Sequence, residues 1–261
     1  MYVQEVPLLV VEKGEVIKKP LAQIILDTED IVIEDAIENA LEDIVEGTTK
    51  NITPYQTEEI FVNPEIEEDW NSLDLPYSPS KLIDGYLETI VKIENLFQEV
   101  VDKHYPKLNL QEQLLNSKIY FTSPEGLLYK CKESRLVGDY AAFYKPNEGI
   151  FVSLNSLASL NFIRYAMAHE FGHFMDYLLN SERYTNSTSS MCEVIAIFVE
   201  EKLNFKRRYR KESKNHYDAQ QILKRLYNTN FSNRNFEEQW EFLSWIKQHL
   251  TVPFLIDNLV G

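Results

Sequence analysis

The sequence predicts an α+β fold, mainly α-helical, with a small mixed or antiparallel sheet. Three observations carry this expectation. Long stretches repeat apolar residues at steps of three and four, the period of a helix with one buried face. A few short runs rich in Val, Ile, Tyr and Phe flank clusters of Pro, Asn and Gly, as strands and turns do. The 261 residues are 44% hydrophobic and 12% aromatic, which is enough apolar material for a full core.

The elements follow in chain order. Residues 1–25 hold two β-prone runs around Glu12-Lys13-Gly14-Glu15, a hairpin pattern. Residues 30–46 set Ile31, Ile33, Ile37, Leu41 and Ile44 among acids, an amphipathic helix stopped by Gly47. Residues 48–79 contain Pro54, Pro64, Pro76 and Pro79 with little periodicity, which suits a linker or an extended arm. A long helix is expected over 80–104, with Leu82, Ile83, Tyr86, Leu87, Ile90, Phe97 and Val101 toward a core and Pro106 just past its end. Residues 118–123 read as a strand. Residues 138–144 and 150–154 flank Lys145-Pro146-Asn147-Glu148-Gly149, a hairpin with a longer turn. Helices are expected over 161–180 and 189–204, and then near 216–227 and 236–250.

Charge divides the chain. Residues 1–112 hold 25 acids and 8 bases, and residues 113–261 hold 16 acids and 18 bases. We therefore expect an acidic N-terminal module or arm over 1–75 and the main domain over 76–261. An acidic face repels phosphate, so no nucleic-acid partner is expected. Such a face could attract basic partners, but solvated helix faces in an acidic protein are the preferred reading. The basic stretch Lys206, Arg207, Arg208, Arg210 and Lys211 reads as a solvated helix face or loop. No run of 18 apolar residues suggests a membrane span, and the first residues lack the basic and apolar regions of a secretory signal. Two cysteines, Cys131 and Cys192, are too few for a disulfide framework. The expected location is cytoplasmic.

The chemistry concentrates at His169-Glu170-Phe171-Gly172-His173. Two His four residues apart on a helix point the same way, one turn apart, so a single metal ion can take both imidazoles. Glu170 lies beside that metal, placed to take a proton from a metal-bound water. Gly172 costs about 1 kcal/mol in a helix interior, so its presence implies close approach of another element or of substrate. A catalytic zinc wants three protein ligands and one open position. Asp176 and Leu179 stand where a three-His pattern would need a glycine and a third histidine. His216 and His249 lie far downstream, in other segments. A carboxylate is the better expectation. Glu193 supplies it from the next helix, on a face shared with Ile197 and Glu200, where a buried acid needs a partner. Glu200 competes for that role and is preferred as a hydrogen-bond acceptor for a ligand His. Asp176, one turn past His173, either orients a ligand or is an ordinary exposed acid.

His169 to His173, followed by Glu193 in Glu-x-x-Ala-x-Phe-x-Glu, resembles the gluzincin clan of zinc metallopeptidases. Oligoendopeptidase F-like enzymes are similar around the third-ligand glutamate. They also have a glycine-tyrosine strand before the zinc helix, like Gly138-Asp139-Tyr140-Ala141. Anthrax lethal factor-like and Pro-Pro endopeptidase catalytic domains share His-Glu-Phe-Gly-His-x-x-Asp, which Asp176 completes. Regulatory peptidases that cleave repressors on mobile elements share the same zinc pattern. The resemblance covers residues 138–204. The chain is much shorter than the oligoendopeptidases and lacks their downstream tyrosine-rich motif.

The resemblance implies a zincin-like catalytic domain that binds one zinc ion and hydrolyses peptide or protein substrates. It implies that the strand Tyr140, Ala141, Ala142, Phe143 pairs with the extended substrate backbone. It also implies a tyrosine shortly before the third ligand as transition-state donor. Tyr184 is the nearest candidate, and Tyr140, His216 and Tyr217 stand behind it. The alternative is a non-enzymatic metal-binding protein with a vestigial site, whose acidic N-terminal part docks a partner.

Overall fold

The computed structural model describes residues 7–12, 15–20, 78–122, 124, 127, 141–154, 159–187, 189–204 and 213–249. The helix expected over 30–46, Tyr140, Cys131 and the basic stretch 206–211 lie outside the described residues. The described part is α+β and mostly helical.

Five strands form one mixed sheet: β1 (Pro7–Glu12), β2 (Glu15–Pro20), β3 (Ile119–Thr122), β4 (Ala142–Lys145) and β5 (Gly149–Ser153), in the order β2-β1-β3-β5-β4. β1 pairs antiparallel with β2 and with β3, β3 runs parallel to β5, and β4 returns antiparallel on β5. The N-terminal hairpin therefore extends the sheet of the domain expected to begin near 76, across that expected boundary. The β4–β5 turn holds Asn147 at φ 65° and Gly149 at φ 135°. A side chain at Gly149 would also meet the Lys118 carbonyl, so this turn requires glycine.

Helix α1 (Pro79–His104) starts where Ser78 accepts from the Lys81 amide with Pro79 in the first turn. It buries Leu82, Ile83, Tyr86, Ile90, Phe97 and Val101 of the expected stripe and Ile93 besides, while the expected Leu87 is half-buried against the core. A short helix α2 (Leu110–Leu115) leads into β3. Helix α3 (Leu160–Leu179) begins at Ser159, whose hydroxyl accepts from Phe162 N–H, and packs on β4, β5 and α1. Its centre is buried nearly all round, which makes it a core helix rather than a surface one. Asn180 closes α3 and caps α4 (Ser181–Asn186) by accepting from Arg183 N–H. That short helix turns the chain so that α5 (Ser189–Lys202) lies back across α3. Helix α6 (Lys214–Tyr227) packs on α5, and a 3-10 turn (Asn230–Asn233) leads to α7 (Phe236–His249). Glu237 and Glu241 of α7 hold His104 at the end of α1, with Lys103 also on Glu237, a surface ion-pair network.

Contact between α3 and α5 is backbone to backbone. A Cβ at Gly172 would lie 2.7 Å from Ala196 Cα and 3.1 Å from its carbonyl oxygen. The close approach that Gly172 implies is thus with another helix. Gly172→Ala should destabilise the protein by about 1–3 kcal/mol through overpacking, even though alanine is the better helix former. Urea unfolding measures this, and unchanged or raised stability would show that the helices can separate at no cost.

Candidate metal centre

The helix pair brings together residues far apart in sequence. His169 Nε2 lies 3.0 Å and His173 Nε2 3.8 Å from Glu193 Oε2. Both histidines are buried, and the Glu193 side chain is 17% exposed. On its other ring nitrogen, His169 Nδ1 meets Glu200 Oε2 at 3.1 Å, and Glu200 is itself buried. Of the expected ligands, His169 and Glu193 are in contact and His173 stands 3.8 Å from Glu193, while Glu200 lies on the outer ring nitrogen of His169.

Electrostatics follow from that arrangement. Burial pushes His169 down, but the carboxylates of Glu193 and Glu200 outweigh it and hold its pKa well above the usual value. Burial pushes Glu193 up, but the hydrogen bond from His169 and the neighbouring imidazoles hold it at about 2. Burial lowers His173 to about 3, which leaves its imidazole neutral with a lone pair to give. Its Nδ1 is buried without a hydrogen-bond partner. Three acids, Glu170, Glu193 and Glu200, thus surround a point where positive charge is stabilised. Two imidazoles and a carboxylate are the donor set that zinc takes, so these residues fit a divalent metal by charge and by chemistry.

Glu170 lies close enough to feel the charges of His169, Glu193 and Glu200. It is buried, and the backbone N–H of Tyr144 in β4 donates to its carboxylate. Burial is the largest influence and pushes its pKa to about 7, in the range a general base needs. Among the described residues, β4 is the outermost strand on that side of the sheet. Ala142 and Phe143 are buried and Ala141 is partly so. Phe143 stacks on Phe151, in a small cluster with Leu127 and Tyr120, so its ring serves packing. Tyr144 packs instead against Phe174 of α3 and against Tyr184.

Tyr184 does lie beside the site, its ring 6.1 Å from that of His173 and roughly perpendicular to it. Burial raises its hydroxyl pKa, so the O–H keeps its proton to donate. Asp176 departs from both expectations. It is fully buried rather than exposed, and it pairs with Lys247 and with Arg183 at 3.4 Å rather than holding a ligand histidine. The Lys247 side chain is also fully buried, and its ammonium lies 4.8 Å from the centre of the Tyr184 ring. Tyr217 is 56% exposed, at the surface.

His216, passed over as a ligand because of its distance in sequence, stands in the centre. Its Nε2 is 3.1 Å from Glu193 Oε2, and its ring stacks on His169 at 5.0 Å. The donor atoms of His169, Glu193 and His216 all lie within 4.8 Å of one another. No helix among the described residues is long and apolar enough to cross a membrane. No protein-family model, curated protein or solved structure matches the chain.

Proposed function

We propose that this protein is a zinc metallopeptidase of the gluzincin kind, with His169, His173 and Glu193 as metal ligands and Glu170 as general base. The observation that supports this most is the pairing of two histidines and a carboxylate, from two helices, with a buried base at their side. A structural metal site has no need of that base. Zinc, when bound, would acidify a water to a pKa near about 7 and polarise the scissile carbonyl.

The residues of the chain do the rest. Glu170, held by the Tyr144 amide, accepts the proton of the attacking water and passes it to the leaving amine nitrogen. Tyr184 offers its O–H to the oxyanion that develops on the carbonyl oxygen. The outer edge of β4, at Ala142 between Ala141 and Phe143, offers backbone groups for an extended peptide to pair with. The substrate class is therefore a peptide or protein segment in extended conformation.

Glu193→Ala should lose zinc. Elemental analysis of the purified variant tests this, and stoichiometric zinc in it would move the third ligand elsewhere. A second reading, a non-catalytic metal centre, draws on His216: an additional imidazole beside Glu193 is what a closed site would have. Mass-spectrometric profiling of a peptide library with zinc-loaded protein separates the two, since only the first yields cleaved products.

A further inference from the structure

We infer that His216 is a fourth protein ligand, closing at rest the metal position that hydrolysis requires open. The inference rests on the metal-binding reading above and adds a residue to it. Its ground is the way the ring is held. His216 Nδ1 is 2.9 Å from Ser213 Oγ, while Nε2 points at Glu193 Oε2, 3.1 Å away. His169 is held in the same manner, with Nδ1 on Glu200 and Nε2 toward the same Glu193 oxygen. A histidine that ligates a metal donates its other ring N–H to an oxygen, which fixes the tautomer and aims the lone pair. With Nδ1–H donated to Ser213, the lone pair of His216 is on Nε2, facing the shared centre.

Ser213 has a second role. Its hydroxyl is also the N-cap of α6, accepting from His216 N–H at 3.2 Å, so the start of the helix fixes the orientation of the ring. The stacking of the His216 and His169 rings, 19° apart in plane, keeps their donor edges side by side. Added to His169, Glu193 and the nearby His173, His216 would make three imidazoles and one carboxylate, enough to satisfy a four-coordinate metal and leave no place for water. Of the four side chains, His216 is the most exposed, at 22% against 8% for His169, 9% for His173 and 17% for Glu193. It is therefore the ligand that can withdraw when a peptide enters. The opposite tautomer, with Nε2–H donated to Glu193, would make His216 a prop for the carboxylate instead.

X-ray absorption on the zinc-loaded full-length chain decides between them. The expected result is three imidazoles at zinc in the wild type and two in His216→Ala. Ser213→Ala, which keeps the imidazole and loses its holder, should lower zinc affinity by about 10–100-fold. Two imidazoles in the wild type, unchanged in His216→Ala, would overturn the inference and leave the peptidase reading standing if peptides are cleaved. Three imidazoles with no cleavage under any substrate would uphold the inference and defeat the peptidase reading. A wild-type protein that retains no zinc would overturn both. The wild-type count stands even if His216→Ala fails to fold.

Discussion

Glu170→Gln should retain zinc and lose peptide hydrolysis by about 10²–10⁴-fold, the usual contribution of a positioned general base. Glutamine keeps the size of the side chain and the oxygen that accepts from the Tyr144 amide, so the β4–α3 contact survives. It removes only the capacity to take a proton. Elemental analysis and cleavage of a peptide library check the two halves, and full activity in a zinc-loaded variant would remove Glu170 from the mechanism. The same substitution has a signature in the metal-stripped protein. Burial raises the folded-state pKa of Glu170 from 4.5 to about 7. An acid shifted upward favours the fold while it is protonated, below its unfolded value, and that contribution is lost as the pH rises through about 7. Glutamine imitates the protonated form. Stripped Glu170→Gln should therefore match the wild type near pH 4 and exceed it above pH 7, by at most about 3 kcal/mol. Thermal unfolding with chelator across that range would show the crossover.

Lys247→Met should destabilise the protein by about 3–5 kcal/mol, the cost of removing one partner of a buried ion pair. Lys247 and Asp176 have no exposed side-chain surface, and among the described residues Arg183, at 3.4 Å, is the cation left to answer the carboxylate. Burial already pushes the Asp176 pKa above the usual range, with Lys247 as the main opposing influence. Without that ammonium the carboxyl keeps its proton to higher pH. The deficit of the variant should then be smallest in acid and grow toward pH 8, because the fold increasingly disfavours the ionised form. Urea unfolding at two pH values measures it. Asp176→Asn combined with Lys247→Met should cost less than the sum of the two alone, because the charge left behind is gone. Strict additivity would mean that the pair is not coupled.

Most elements of the described fold were legible because their signals are local. The stripe of α1 and the turn at Asn147–Gly149 each lie within a few residues of the structure they specify. The helices missed, α2 and α4, are six residues long and too short to show a period. The heart of the site was legible for the same reason, since His169, Glu170 and His173 share one turn and a half of helix. What sequence could not supply was three-dimensional adjacency. Lys247 reads as a surface lysine until α7 carries it onto Asp176, 71 residues away. His216 reads as a remote histidine until α6 packs on α5. Tyr144 reaches Glu170 through its backbone, which leaves no trace in the identity of its side chain.

The contact between Gly172 and Ala196 bears on the spacing of the proposed metal donors. The histidines and the carboxylate stand on opposite sides of a seam where two backbones touch, and Ala196 lies one turn from Glu193. The gap between donors is therefore set by backbone contact and not by the flexing of long side chains. A missing methyl group at position 172 lets the helices that carry His169, His173 and Glu193 touch, so under the proposed metal-binding reading it would fix how far apart those donors stand.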